Sequence, residues 1–121
     1  MARNNAQSEN VLFLVGEWVS DKEKTIKYNL EKSHWTKEQL NRFEKILGRL
    51  KIVFTESTVE WHYEGNVDST EYELVGKNPN IITMKTDFSP QPFKFYKDGN
   101  SIYIDAGGTN ALTREYFKKI V

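Results

Sequence analysis

The chain has 121 residues, which is room for one domain. Its 17 basic and 17 acidic residues cancel, and the lack of a basic excess argues against a nucleic-acid partner. The absence of cysteine excludes disulfides, zinc–thiolate sites and cysteine nucleophiles, while an aromatic fraction of 13% is sufficient for a packed core or for the wall of a cavity.

The N-terminal segment is polar and lacks an apolar run. Residues 1–9 therefore predict a flexible tail and not a signal peptide, followed by a single domain over residues 10–121. The longest apolar stretch, Val11–Val15, is far too short to cross a bilayer. We expect a cytoplasmic protein, either a monomer or a homodimer, with no membrane partner.

One segment carries the pattern of an amphipathic helix. Thr36 and Gln39 have the spacing of a capping box, and Gly48 suits the C-terminal cap. An apolar stripe recurs at helical intervals at Leu40, Phe43, Ile46, Leu47 and Leu50. The sequence predicts a helix over residues 37–47.

The rest of the chain has the pattern of short strands separated by turn signals. The predicted strands are Trp18–Ser20 continuing as Thr25–Leu30, Arg49–Thr55, Thr58–Glu64, Thr70–Val75, Ile81–Thr86, Phe93–Lys97 and Ser101–Asp105. The last segment, Thr113–Ile120, fits either a strand or a helix.

About eight short strands with one early helix predict a mainly β fold. Closing the sheet hides its two edges, so an antiparallel up-and-down barrel with one helix between strands one and two is favoured over a two-sheet sandwich. We expect the apolar stripe of the helix to close one mouth of this barrel.

Two segments carry a family resemblance. The run Leu14–Trp18 contains the Gly-x-Trp triplet that opens the first strand of lipocalins and related calycin barrels, and Arg114–Ile120 is similar to the closing strand of small bacterial lipocalin-like proteins. The resemblance implies that a basic residue of the last strand lies over Trp18 at the closed end of the barrel. Arg114 is the expected residue, with Lys118 as a substitute.

Acidic residues flank a histidine on one predicted strand face. Glu60, His62 and Glu64 alternate along this strand, so their side chains share a face. Glu60 and His62 are candidates for acid–base catalysis if they are buried, whereas an exposed polar face is the simpler interpretation. The sequence contains no recognised metal-ligand spacing and no cofactor motif, so we predict neither a metal nor a cofactor.

Aromatic residues at alternating strand positions are the candidates for a ligand-binding wall. They are Tyr28, Trp61, Tyr63, Tyr72, Phe95 and Tyr103. If these side chains point inward, they form an apolar lining with several phenol hydroxyls. A filled core is the alternative, and a slip of one residue in register would exchange Trp61 and Tyr63 for His62.

These observations favour a protein that binds a small apolar or aromatic molecule inside the barrel. One alternative is a lipocalin-like barrel enzyme, a cyclase or isomerase, that acts on an apolar substrate. Another is an interaction or inhibitor module that uses its loops or the acidic hairpin over residues 56–73.

Overall fold

A computed structural model describes residues 5–33, 35–105 and 114–120 of the chain. Its eight strands form a closed barrel in which neighbours in sequence pair antiparallel and the last strand pairs with the first. The elements are α1 (Asn5–Leu14), β1 (Gly16–Ser20), α2 (Lys22–Ser33), α3 (Lys37–Ile46), β2 (Lys51–Phe54), β3 (Thr58–Tyr63), β4 (Asn66–Val75), β5 (Ile81–Thr86), β6 (Ser89–Asp98), β7 (Ser101–Asp105) and β8 (Arg114–Lys119). The predicted fold class, a mainly β antiparallel barrel of about eight strands, is confirmed.

Alternate residues of the strands face the barrel interior and form its core. The largest side chains with almost no exposed surface are Trp18, Phe54, Phe95 and Phe117. Val11 and Leu14 of α1 belong to the same cluster, so α1 covers the end of the barrel where β1 begins. We call this end the closed end, and the opposite end, where β1 leads into α2, the open end.

The helix α3 begins at the predicted residue, ends one residue earlier than predicted and has a different packing partner. The backbone N–H of Gln39 donates to Thr36 Oγ1 over 3.1 Å, and the N–H of Thr36 donates to Gln39 Oε1 over 2.9 Å, so both bonds of the capping box are formed. Phe43 and Leu47 pack with Trp35 in a cluster separate from the barrel core. The expectation that this stripe closes a barrel mouth is therefore wrong.

The helix α1 begins inside the segment that we expected to be a flexible tail. The side chain of Gln7 donates to the backbone oxygen of Gly76 over 2.9 Å, and Asn10 donates to the backbone oxygen of Asn78 over 3.3 Å. These bonds attach α1 to the turn between β4 and β5. Residues 1–4 of the expected tail lie outside the described residues.

The helix α2 replaces the predicted strand Thr25–Leu30, which is a correction. It begins after Asp21, whose side chain accepts from the backbone N–H of Lys24 over 3.1 Å. One turn apart on its inner face lie Thr25 and Asn29, both without exposed surface. Their polar side chains reach the backbone of β8, so the alternation that we took for a strand belongs to a helix.

The contact between α2 and β8 supplies hydrogen bonds that a longer β1 would have made. The strand β1 ends at Ser20, which lies opposite Phe117, so the first half of β8 has no strand partner on that side. The backbone N–H of Tyr116 donates to Thr25 Oγ1 over 2.9 Å. Asn29 Nδ2 donates to the backbone oxygen of Arg114 over 2.8 Å.

Within the described ranges, no helix is long and apolar enough to span a membrane.

Candidate functional site

The open end of the barrel holds a pocket with an aromatic wall. Its volume is about 360 Å³, and its lining residues are Trp61, Asp68, Phe88 and Phe93. Trp61 near the end of β3 lies opposite Asp68 near the start of β4, and Phe88 lies in the turn between β5 and β6. We call this feature the mouth pocket. Its volume falls in the range of small-molecule sites.

The floor of the mouth pocket belongs to the barrel core. The ring centroid of Trp61 lies 6.1 Å from that of Phe93 and 6.4 Å from that of Phe95. Phe95 is fully buried, whereas Phe88 on the wall is 38% exposed. The barrel is therefore packed with side chains toward the closed end, and space for a ligand remains at the open end.

The indole N–H of Trp61 is buried and has no hydrogen-bond acceptor among the residues that the structure describes. A buried donor without a partner costs about 1–3 kcal/mol. The other indole in the barrel, that of Trp18, donates to the backbone oxygen of Leu14 over 2.8 Å. The unsatisfied donor thus distinguishes the tryptophan of the mouth pocket from the tryptophan of the closed end.

The six predicted ligand-binding residues do not form one site. Trp61 lines the mouth pocket, and Phe95 contacts it from below. Tyr72 lies in the core, where its hydroxyl donates to the backbone oxygen of Thr55 over 2.8 Å. Tyr63 is 42% exposed at the end of β3 and does not line the pocket.

Tyr28 and Tyr103 lie outside the barrel. Tyr28 is on α2, and Tyr103 alternates on β7 with Ile102 and Ile104, which pack in or against the core. Both tyrosine rings contact the guanidinium of Arg114 on the outer surface. Since adjacent residues of a strand point to opposite faces, the burial of Ile102 places Tyr103 on the outer face.

Three lining residues of the mouth pocket are not among the six predicted ligand-binding residues, and two of them, Asp68 and Phe88, were missed by sequence reasoning. Phe93 belongs to the alternating apolar positions that the sequence indicates for a barrel lining, because it lies two residues before the predicted Phe95 and shares its strand face. Asp68 lies opposite Trp61 in the β3–β4 pair, so the pairing register would have revealed it. Phe88 follows from no pattern in the sequence, because its position depends on the path of the β5–β6 turn.

Glu60 and His62 form a pair on the outer face of β3. His62 Nε2 lies 2.9 Å from Glu60 Oε1, and the two side chains are 29% and 36% exposed. They alternate with Val59 and Trp61, whose side chains point inward, so neither enters the mouth pocket. Within the described part of the chain, no three His, Cys, Asp or Glu residues are grouped as they would be to hold a metal ion.

A carboxyl group on the inner face of β8 was also missed. Ser20 Oγ donates to Glu115 Oε2 over 3.1 Å, and the same hydroxyl oxygen accepts from the backbone N–H of Gly48 over 3.2 Å. Burial raises the pKa of Glu115, and the hydrogen bond from Ser20 opposes part of that rise. The sequence does contain a signal for this position, because Glu115 lies two residues before Phe117 and shares its strand face.

The structure corrects the basic residue expected over Trp18. Lys119 lies opposite Trp18 in the β1–β8 register, and its Nζ is 5.4 Å from the centroid of the indole ring. The substitute Lys118 lies opposite Val19. Arg114 begins β8 at the open end, too far along the strand to reach Trp18.

Neither a protein-family model nor a curated protein matches the chain. Among solved structures, the chain is similar to Zn(II)-bound AdcA from Streptococcus pneumoniae, with a TM-score of 0.52 and 12% sequence identity. The similarity covers 100% of this chain and 37% of that protein, so the chain spans little more than a third of its length. At this identity the likeness shows the fold alone.

Proposed function

We propose that this calycin-like barrel binds a small apolar or aromatic molecule in the mouth pocket, with a hydrogen-bond acceptor of the ligand placed against the indole N–H of Trp61. The observation that carries the proposal is the buried, unsatisfied donor of Trp61 in the wall of an aromatic pocket. An acceptor from a ligand would complete this hydrogen bond, and the rings of Phe88 and Phe93 would cover apolar surface.

The aromatic wall supports an apolar ligand on energetic grounds. Removing about 200 Å² of apolar surface from water contributes roughly 5 kcal/mol before the entropic costs of binding. The floor of the pocket is already packed, so the protein has little to reorganise when a ligand enters. The carboxylate of Asp68 on the wall disfavours an anionic group at that side of the pocket.

Binding is favoured over catalysis because the predicted acid–base pair lies elsewhere. His62 and Glu60 contact each other on the outside of the barrel, where they cannot reach a molecule in the mouth pocket. The zinc named for the structural neighbour does not support a second proposal, since the similarity to that protein extends to the fold alone.

The proposal is tested by titration with the neutral fluorophore 6-propionyl-2-(dimethylamino)naphthalene, whose ketone oxygen is an acceptor. Its emission shifts to shorter wavelength in an apolar site. We expect saturable binding to the wild-type protein. Trp61→Phe keeps an aromatic ring but removes the N–H, and we expect it to weaken binding about two- to tenfold, the value of one neutral hydrogen bond.

Phe88→Ala removes a partly exposed wall residue without opening the core, and we expect a clear loss of affinity. Tyr63→Ala is the matched control, because Tyr63 is an exposed aromatic residue at the same end that does not line the pocket. Equal affinity in the wild-type and Phe88→Ala proteins, or equal losses in Phe88→Ala and Tyr63→Ala, would refute binding in the mouth pocket.

A further inference from the structure

Arg114 is held against tyrosine rings on the outer surface of the barrel. Its guanidinium carbon lies 4.4 Å from the ring centroid of Tyr28 and 4.0 Å from that of Tyr103. Its Nη1 donates to the hydroxyl of Tyr116 over 3.0 Å. These contacts fix the plane of the guanidinium before any ligand arrives.

The guanidinium retains unused hydrogen-bonding capacity. Arginine has five N–H donors in a planar fork, and one of them is engaged by Tyr116. The ion pairs among the described residues involve the basic side chains of Lys24, Arg49, Lys51 and His62, and Arg114 belongs to none of them. The guanidinium of Arg114 thus has a fixed orientation and no ion-pair partner among the described residues. A positive charge of this kind can receive an anion.

The surroundings of Arg114 form a cleft that provides further donors. Its volume is about 320 Å³, and its lining residues are Tyr28, Tyr96, Tyr103, Asp105 and Arg114. The rings of Tyr96 and Tyr103 stack with centroids 5.1 Å apart. Burial raises the pKa of Tyr103, although the charge of Arg114 opposes part of that rise, so its phenol stays protonated and able to donate at neutral pH. We call this feature the tyrosine cleft.

We propose that the tyrosine cleft is a second binding site, separate from the mouth pocket, and that it recognises an oxyanion, either a carboxylate or a phosphate, attached to a small aromatic group. The guanidinium fork fits two oxygens of such an anion in a bidentate arrangement. The tyrosine rings cover the attached group, and their hydroxyls supply additional donors to the anion.

One group in the cleft opposes an anion. The carboxylate of Asp105 also lines it, on the strand next to Arg114. The guanidinium and the phenols must outweigh this charge. Replacement of Asp105 by asparagine is therefore expected to tighten the binding of an anion.

The test is calorimetric titration of the wild-type protein with phenyl phosphate, benzoate and the neutral analogue benzyl alcohol at low ionic strength. We expect at least one of the two anions to bind and benzyl alcohol to bind more weakly. The tighter of the two anions identifies the class of ligand. Added sodium chloride should weaken the binding of the anion, because part of the cleft is open to solvent.

Variants distinguish binding of the anion in the tyrosine cleft from its nonspecific attraction to basic residues. We expect Arg114→Gln to weaken binding by roughly tenfold or more, and Arg114→Lys to restore only part of it because a lysine cannot bind bidentately. Arg49→Gln removes the same charge from an exposed ion pair and is the matched control. The combined variant Tyr28→Phe with Tyr103→Phe keeps both rings and is expected to bind less tightly, which provides a test if Arg114→Gln does not fold.

Failure of both anions to bind would overturn the proposal. Equal losses in Arg114→Gln and Arg49→Gln would also overturn it, because the attraction would then be one of net charge. Each of these results leaves binding in the mouth pocket unaffected, since Arg114 does not line that pocket.

Discussion

The two tryptophans of the barrel differ in the hydrogen bonding of their indole N–H groups. Trp18 is fully buried, bonds its indole N–H to the backbone of Leu14 and lies beneath Lys119. Trp61 is partly buried, and its N–H has no acceptor in the described part of the chain. The indole N–H of Trp18 is therefore satisfied within the fold, whereas that of Trp61 is the donor to which we assign the proposed ligand.

The sequence identified Trp18 by the Gly-x-Trp triplet that resembles the lipocalin signature, and Trp61 by its alternating strand position. It did not show which indole would be satisfied. That difference depends on α1, whose last residue, Leu14, brings a backbone oxygen to Trp18. The basic residue over Trp18 was also predicted incorrectly. The expected Arg114 lies at the other end of β8, and the substitute Lys118 is one residue from Lys119, which places it on the opposite strand face.

The buried carboxyl of Glu115 predicts how the free energy of unfolding depends on pH. Because burial raises its pKa, the folded protein holds this proton more tightly than the unfolded chain does. The resulting stabilisation is present below the ordinary pKa of a glutamate and is lost as the pH rises through the raised pKa. Glu115→Gln should therefore increase the free energy of unfolding at neutral pH, and the gain should vanish in acid.

Urea unfolding of the wild-type and Glu115→Gln proteins across this pH range measures the effect. The exposed Glu71→Gln on β4 is the control for the loss of a carboxylate, and we expect it to change the free energy of unfolding by no more than about 0.5 kcal/mol. A difference between Glu115→Gln and wild type that stays constant with pH would contradict the account.

Among the elements, α3 was predictable and α2 was not. Both ends of α3 carry local signals, Thr36 with Gln39 at the start and Gly48 after the end, and Gly48 has the positive φ of +86° that favours glycine. The inner face of α2 instead carries Thr25 and Asn29, whose polar side chains do not resemble an apolar stripe. These polar side chains can be buried because they bond to the first half of β8, which has no β1 partner.

The hydrogen bonds of Asn29 predict how much the contact between α2 and β8 contributes to stability. The side chain of Asn29 donates to the backbone oxygens of Thr25 and Arg114 and accepts from the backbone N–H of Arg114 over 3.4 Å. Asn29→Leu keeps a similar size but removes the side-chain partner of the backbone oxygen and N–H of Arg114, whereas the backbone oxygen of Thr25 keeps its helical hydrogen bond. We expect a loss of about 1–3 kcal/mol for each backbone group left without a partner.

Urea unfolding monitored by circular dichroism measures this loss. Lys32→Leu introduces the same residue at an exposed position of α2 and is the matched control. If Asn29→Leu were as stable as Lys32→Leu, the claim that α2 completes the hydrogen bonding of β8 would be incorrect.

For the whole molecule, the need to hide two sheet edges correctly predicted a closed antiparallel barrel. It could not predict whether the interior is hollow, because that depends on how far side chains extend from all eight strands. The structure has a packed region next to α1 and a pocket at the opposite end. Two of the six predicted wall residues, Trp61 and Phe95, meet at this pocket. Phe88 could not be predicted, because its position depends on the path of the turn between β5 and β6.

The position of the mouth pocket can be tested most directly by nuclear magnetic resonance. The three tryptophans give three indole N–H signals, which single Trp→Phe variants assign. On addition of 6-propionyl-2-(dimethylamino)naphthalene, we expect the Trp61 signal to shift as its N–H gains an acceptor, while the signals of Trp18 and Trp35 stay in place. An unchanged Trp61 signal, or equal shifts of all three, would contradict binding in the mouth pocket.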